Sequence, residues 1–325
     1  MNIRQSFSFG LVLAAAGLST TAWADTYPRK PIVLVVPYAA GGPADTAARL
    51  LSEPFGKEIG ERVVIENKVG GGGTLAATSV KGGTADGYTL LMAGEGPMSI
   101  NPHVQKNIPY NPATDFVPAA VFASGGCNVL VVNPKFAAAT LKDFVALARS
   151  KSGEVMYGGS GLGTPAETVA IEFQASAGAK MQKVPYTGSG PAFQDVIGGH
   201  LDALFVSAVS AVSAIEAGTV RALGVSTAKR CDVLPNVPTF REGGVDLDTG
   251  YYWFGIFART GTPQDIIEKL NGAINRATAS PGFADSLKIH SLAPQSLSVT
   301  EAAAYVRRDM DEWAQKIERL PQIKQ

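Results

Sequence analysis

At 325 residues the chain is too long for one ordinary domain, and about two are expected. Its 28 basic and 28 acidic side chains cancel, which removes the electrostatic basis for nucleic acid or an anionic membrane surface as a partner. A hydrophobic content of 46% fits a folded soluble protein and excludes a disordered one.

The first residues read as a leader. "MNIRQ" brings one positive charge, "SFGLVLAAAGL" is a short apolar run, and small residues stand at Ala22 and Ala24. This is the pattern of a secretory signal peptide over residues 1–24, cleaved after about Ala24. The apolar run is shorter than the roughly 20 residues that span a bilayer, and no later stretch is long enough. A soluble, exported, periplasmic protein is expected, beginning near Asp25.

"PIVLVVPY" is a continuous β-branched run, as in a strand buried on both faces of a parallel sheet. The segment after it repeats Leu51, Phe55 and Ile59 at helical spacing, with Pro54 expected to kink or split that helix. "RVVIEN", "YTLLMAG" and "NVLVVNP" read as strands, and "GGGGTLAATSVKGG" as a glycine-rich entry to a helix. In "TLKDFVALAR", Thr140 and Asp143 form a capping-box-like start, with Leu141, Phe144, Val145 and Ala148 on one face. Strands "EVMYGGS", "KVPY", "LDALFVS" and "RALGVS" then alternate with helices "PAETVAIEFQASAG", "PAFQDVIGGH" and "VSAIEAG". After "DTGYYWFGIFART" come mainly helices. The alternation predicts an α/β protein with parallel sheets and right-handed crossovers.

Three strand-to-helix turns carry glycines: "PYAAGGPAD", "GGSGLGTPAE" and "PYTGSGPAF". A helix N-terminus leaves backbone N–H groups without intrahelical partners and carries partial positive charge, so such turns can hold an anion. Three turns aimed at one crevice would suit a small carboxylate.

Catalytic readings find less support. Gly161, Gly163 and Ala166 satisfy G-x-G-x-x-A, but "QKVPYTG" lacks the acidic residue that a ribose would need. The run from Gly158 to Leu162 around Ser160 lacks the last glycine of a hydrolase elbow. His103, His200 and His290 are scattered, with no metal-ligand spacing, and no phosphate-binding G-K-[ST] occurs. No catalytic residue, metal or cofactor is expected. The two cysteines, Cys127 and Cys231, could pair in an oxidising compartment, which spacing alone does not decide. Two separate buried side chains is the simpler reading.

Many segments together point to one family. "YPRKPIVLVVPYAAGGPADTAARLL", "VVIENKVGGGGTLAA", "DGYTLLMAG", "INPHVQKNIPYNPATDFVP", "VPYTGSGPAFQDVIGGHLDALF", "GTVRALGVSTAKR", "LPNVPTFREGG" and "YWFGIFARTGTP" come in the order seen in Bug-type periplasmic solute receptors. The chain closely resembles these extracytoplasmic components of tripartite tricarboxylate transporters over essentially all of its mature length. The resemblance implies a type II periplasmic binding protein, with two Rossmann-like lobes joined by two crossing strands and a ligand cleft between them. Lobe one would hold residues 25–125 plus 251–325, and lobe two residues 126–250. It further implies a monomer that captures a small organic acid without converting it. Delivery would be to the membrane permease subunits or, alternatively, to a two-component sensor kinase.

By the same resemblance, the ligand carboxylate meets mainly backbone N–H groups. Tyr38, Ala40, Gly41, Gly42 and Asp45 would surround it, with Asp45 capping the helix and fixing the loop. Gly94 would face the cleft from another lobe-one strand. Ser160, Gly163, Thr164, Tyr186, Thr187 and Ser207 would close from lobe two. Several positions depart from the family pattern. Ala40 replaces a common proline, and Pro43 a common serine or threonine. Thr187 stands where lysine is frequent, Val206 where an acidic residue is frequent, and Glu95 where small polar residues are usual. With Glu95 expected in solvent, these changes lean towards a monocarboxylate or compact aromatic acid.

Overall fold

A computed structural model describes residues 27–150, 153–159, 161, 164–186, 188–250 and 252–319. The leader, Ser160, Gly163 and Thr187 lie outside the described residues.

The chain begins with β1 (Ile32–Val36) and α1 (Pro43–Ile59), then β2 (Val63–Asn67), α2 (Thr74–Lys81) and β3 (Thr89–Ala93). Leu51, Phe55 and Ile59 are buried along α1, as their spacing predicts. Pro54 does not split α1, which runs as one helix of 17 residues. A proline inside a helix costs about 3 kcal/mol, and burial of that apolar stripe against the first sheet offsets it. After β3 the chain makes a π-helical turn at Gly96–Ile100, then α3 (Asn101–Val104), α4 (Pro112–Asp115) and the ten-residue β4 (Phe116–Gly125).

The chain then enters β5 (Asn128–Val132), α5 (Leu141–Ser150), β6 (Met156–Gly159) and α6 (Pro165–Ala177). Thr140 and Asp143 form the expected reciprocal cap of α5. Next come β7 (Gln182–Pro185), α7 (Ser189–Gly198), β8 (Ala203–Ser207), α8 (Ala208–Glu216) and β9 (Arg221–Val225). The chain returns through β10 (Tyr252–Arg259) and ends with α9 (Gln264–Thr278), α10 (Phe283–Lys288), β11 (Leu292–Pro294) and α11 (Val299–Glu318). Among the described residues, no helix is long and apolar enough to cross a membrane.

Two sheets result, ordered β11-β4-β10-β3-β1-β2 and β7-β6-β8-β5-β9. They are mixed rather than parallel. The βα units pair in parallel (β1 with β2 and β3, β6 with β7 and β8), while β10 runs antiparallel to β3 and β4, and β5 antiparallel to β8 and β9. The reversal follows from the chain path: β4 leads straight into β5 of the other sheet, and β10 returns beside β4.

Each sheet is packed on both faces. Leu34, Leu51, Phe55, Ile256 and Leu270 fill one face of the first sheet, and Leu91, Val121, Trp253 and Phe257 the other. In the second sheet, Phe173 lies 5.3 Å from Phe205 and 5.1 Å from Phe240 between ring centroids. Its opposite face holds Val129, Leu204 and both cysteines. Cys127 and Cys231 are disulfide-bonded, with Cα atoms 6.4 Å apart, which corrects the expectation of two separate side chains. The pairing joins residues 104 apart in sequence, beyond the reach of any local pattern.

Candidate functional site

The first glycine turn is built by Asp45. Gly41 takes φ +82°, a region closed to most residues with side chains, and its N–H donates to Asp45 Oδ2 at 2.9 Å. Asn67 Nδ2 donates to Asp45 Oδ1, also at 2.9 Å, and to the carbonyl of Tyr38. Arg49 completes the set, with Nε 2.8 Å from Asp45 Oδ2. Burial pulls the Asp45 carboxyl upward, but the bonds from Arg49, Gly41 and Asn67 outweigh it and hold it below the usual carboxylate range.

Asp45 therefore fixes the loop, as expected, but it does not cap α1. The N-cap is Gly42, with no side-chain cap, and Asp45 lies three residues inside the helix. The Gly41 N–H is spent on this carboxylate. Pro43 has no N–H, so the N–H groups of Ala44 and Asp45 are those that helix geometry leaves without an intrahelical partner. Ala40 and Gly41 are exposed beside them.

Tyr38 follows β1, Gly94 follows β3 and Ser207 ends β8, and the latter two meet the crossing strand β10 at Trp253 and Tyr252. Gly94 is where β3 meets the returning chain: a Cβ there would stand 2.3 Å from the Trp253 carbonyl oxygen, so only glycine permits this approach. The next residue, Glu95, is buried, with Oε2 accepting from the Trp253 N–H at 3.4 Å. Its charge raises the pKa of both Tyr38 and Tyr252, second to burial itself as the cause for Tyr38. The Tyr252 hydroxyl, 3.5 Å from Ser207 Oγ, is pushed up to about 12 by burial, against the Ser207 bond.

Glu95 corrects the expectation of a solvated side chain. Burial, then the charge of Asp309, pushes its carboxyl up to about 8. The acid is thus largely protonated at neutral pH. Sequence reasoning also missed Tyr252, at the start of the returning strand β10, and Asp309, because helix α11 folds back from the end of the chain to reach the crossing.

The second-lobe turns are held internally. Thr164 is the N-cap of α6, accepting from the Glu167 N–H and donating to the Gly161 carbonyl. Behind it, buried Glu167 pairs with Lys183 at 2.8 Å. Tyr186 donates its hydroxyl to Asp195 Oδ2 at 2.5 Å, which fixes the ring beside α7, and Gly188 is the N-cap of that helix. All three glycine turns thus do precede helix N-termini, at the carboxyl ends of β1, β6 and β7.

A cavity of about 350 Å³ lies beside the crossing, between α6 and α11. Glu95, Ser124, Asn128, Pro165, Thr168, Tyr252, Asp309 and Lys316 are among its lining residues, whereas the glycine turns at Gly41–Gly42 and Gly188 do not line it.

Residues 47–321 match the family described as the tripartite tricarboxylate transporter family receptor. The chain belongs to that family. The receptor is 32% identical to Protein BugT of Bordetella pertussis, covering 94% of each chain. In structure it is similar to the periplasmic binding protein BugD, with TM-score 0.84 and 30% identity over 92% of the receptor and 100% of BugD. It is also similar to MatC of Rhodopseudomonas palustris with bound malate, with TM-score 0.82 and 30% identity over 89% of the receptor and 99% of MatC. The receptor thus has the two-lobed architecture of Bug-type periplasmic binding proteins, and its family is one of solute receptors.

Proposed function

We propose that the receptor captures a small organic carboxylate between its lobes in the periplasm and delivers it to the permease of a tripartite tricarboxylate-type transporter. The observation that carries this reading is the set of three glycine-bearing turns, each opening a helix at the carboxyl end of a strand. Such edges are where open α/β sheets bind ligands, and helix N-termini favour anions. The malate bound by MatC supports the same chemistry. Lobe one is residues 25–125 plus 251–325, lobe two is residues 126–250, and the first 24 residues are the export leader.

In this reading Tyr38, Ala40, Gly41, Gly42, Asp45 and Gly94 form the lobe-one side of the site. Ser160, Gly163, Thr164, Tyr186, Thr187 and Ser207 form the other side. Asp45 and Gly94 act by shaping the backbone, since one is matched to Arg49 and the other lies under Trp253. Threonine at 187 supplies no cation for a second carboxylate, which favours a ligand with one. Closure follows the hinge motion of such clamps.

Mass spectrometry of the small molecule released from natively purified protein tests the proposal. An organic acid should be found, and titration calorimetry with that acid should give one site per chain. A sugar, or an acid that binds without saturation, would overturn it.

A further inference from the structure

We propose that Tyr252 is a wedge that sets the angle between the two halves of the receptor. Its ring, anchored in the first half, fills the space that a side chain at Gly126 would need, and so fixes the bend at which the chain enters the second half. The purpose of the wedge rests on the proposed capture of a ligand between the lobes, while its test reads the angle alone, with no acid present.

On the outward crossing a single residue lies between two bonded ends. Gly125 is the last residue paired in the first sheet, opposite both Tyr252 and Leu292. Cys127 already belongs to the second half: its carbonyl accepts from the Ala208 N–H at 2.9 Å, and its sulfur is bonded to Cys231. Gly126 stands between them at φ +73°, and its N–H donates to the Ser291 carbonyl at 2.6 Å. On the way back, the Thr249 N–H donates to the Ser226 carbonyl of the second half at 3.0 Å. Gly250 follows at φ +72° with open space around it, and Tyr252 then opens β10. Both crossings thus turn on a glycine, which can absorb the backbone change of a hinge.

The two glycines differ in what surrounds them, and Tyr252 makes the difference. Its ring is buried in the apolar core of the first half, edge-on to Phe254 with centroids 5.6 Å apart. A Cβ at Gly126 would stand 2.0 Å from Tyr252 Cζ, against 3.4 Å for ordinary contact. The main chain at 126 therefore lies directly on the ring and has no room to come closer. Beyond the crossing, the Tyr252 hydroxyl reaches Ser207 Oγ at 3.5 Å, at the end of β8. One side chain based in the first half thus touches both the crossing and the second sheet. Packed interiors give little, so bulk added at 126 has to be taken up by turning the second half, with Gly250 free to follow.

Helices α1 and α8 both lead away from the facing sheet edges, and Lys57 and Glu216 are exposed near their far ends. The test is double electron–electron resonance on the full mature receptor, with its disulfide closed and nitroxide labels on Lys57→Cys and Glu216→Cys. Gly126→Ala should move the centre of the distance distribution by about 2 Å or more, and adding Tyr252→Ala should bring it back. Gly153→Ala, in the second half at φ +81° with open space around it, should leave the centre in place, which separates the wedge from backbone strain. Tyr252→Phe keeps the ring and should keep the centre. Circular dichroism checks the fold; if Gly126→Ala fails to fold, Tyr252→Ala alone carries the test and should broaden the distribution. An unmoved centre in folded Gly126→Ala, no recovery on removing the ring, an equal shift in Gly153→Ala, or an unchanged distribution in Tyr252→Ala would overturn the proposal. Because no acid enters the measurement, its outcome is independent of whether the glycine turns bind a carboxylate.

Discussion

Replacing Glu95 by glutamine should make the receptor more stable in alkali. The ordinary value for this carboxyl is 4.5 and burial beside Asp309 raises it to about 8. Between those values the native protein keeps a proton that the unfolded chain has released, so stability falls as pH rises through the window and levels off above it. At about 1.4 kcal/mol per pH unit, the full window amounts to up to about 4–5 kcal/mol. Glutamine has nearly the same shape and no proton to lose. Urea denaturation of both proteins at intervals from pH 5 to pH 9 measures the difference. Near pH 5 the two should agree within about 1 kcal/mol, and by pH 9 the variant should lead by about 4 kcal/mol. Asp309 and Glu172 titrate in both proteins, so the difference isolates Glu95. Parallel pH profiles would refute the reasoning, showing a carboxyl with free access to water.

Reducing the Cys127–Cys231 bond, or replacing both cysteines by serine, should cost about 2–5 kcal/mol because it closes a long loop; an unmoved urea midpoint would show that the bridge adds nothing. Asp45→Ala removes the acceptor shared by Gly41, Arg49 and Asn67 and should lower stability by about 2–3 kcal/mol. That contribution is present above about pH 4 and disappears as pH falls through the depressed folded value, which acid titration of the two proteins followed by fluorescence would check. Gly42→Val should fold normally, because φ there is −78° and an added Cβ first meets the Ala39 carbonyl oxygen at 3.4 Å. It should weaken the released acid by about tenfold or more in calorimetry, by keeping the ligand off the helix end; unchanged affinity would make that turn purely structural.

Local patterns were legible where a short segment decides its own structure. The β-branched run of β1, the Leu51–Phe55–Ile59 stripe and the Thr140–Asp143 cap each depend on residues within a few positions of one another. The strand β4 is harder to read, because Pro118 and several alanines dilute its β signal, and β11 is only three residues long. The antiparallel entries of β5 and β10 depend on the route of the chain rather than on periodicity. Pro54 was misleading because helix propensity yields to tertiary packing. Within the candidate site, the turn at Gly41 and Gly42 could be found from its glycines. The burial of Glu95 could not, since the atoms that enclose it come from Trp253 and Asp309, more than 150 positions away.

Helix α11 starts on the first sheet, with Ala302 and Val306 buried there, and at its far end Trp313 and Ile317 cluster with Ile100 and Val104, against which Ile171 of α6 packs from the other half of the molecule. Any motion that separates the two sheets at this point would have to part the apolar contact between Ile171 and the C-terminal helix.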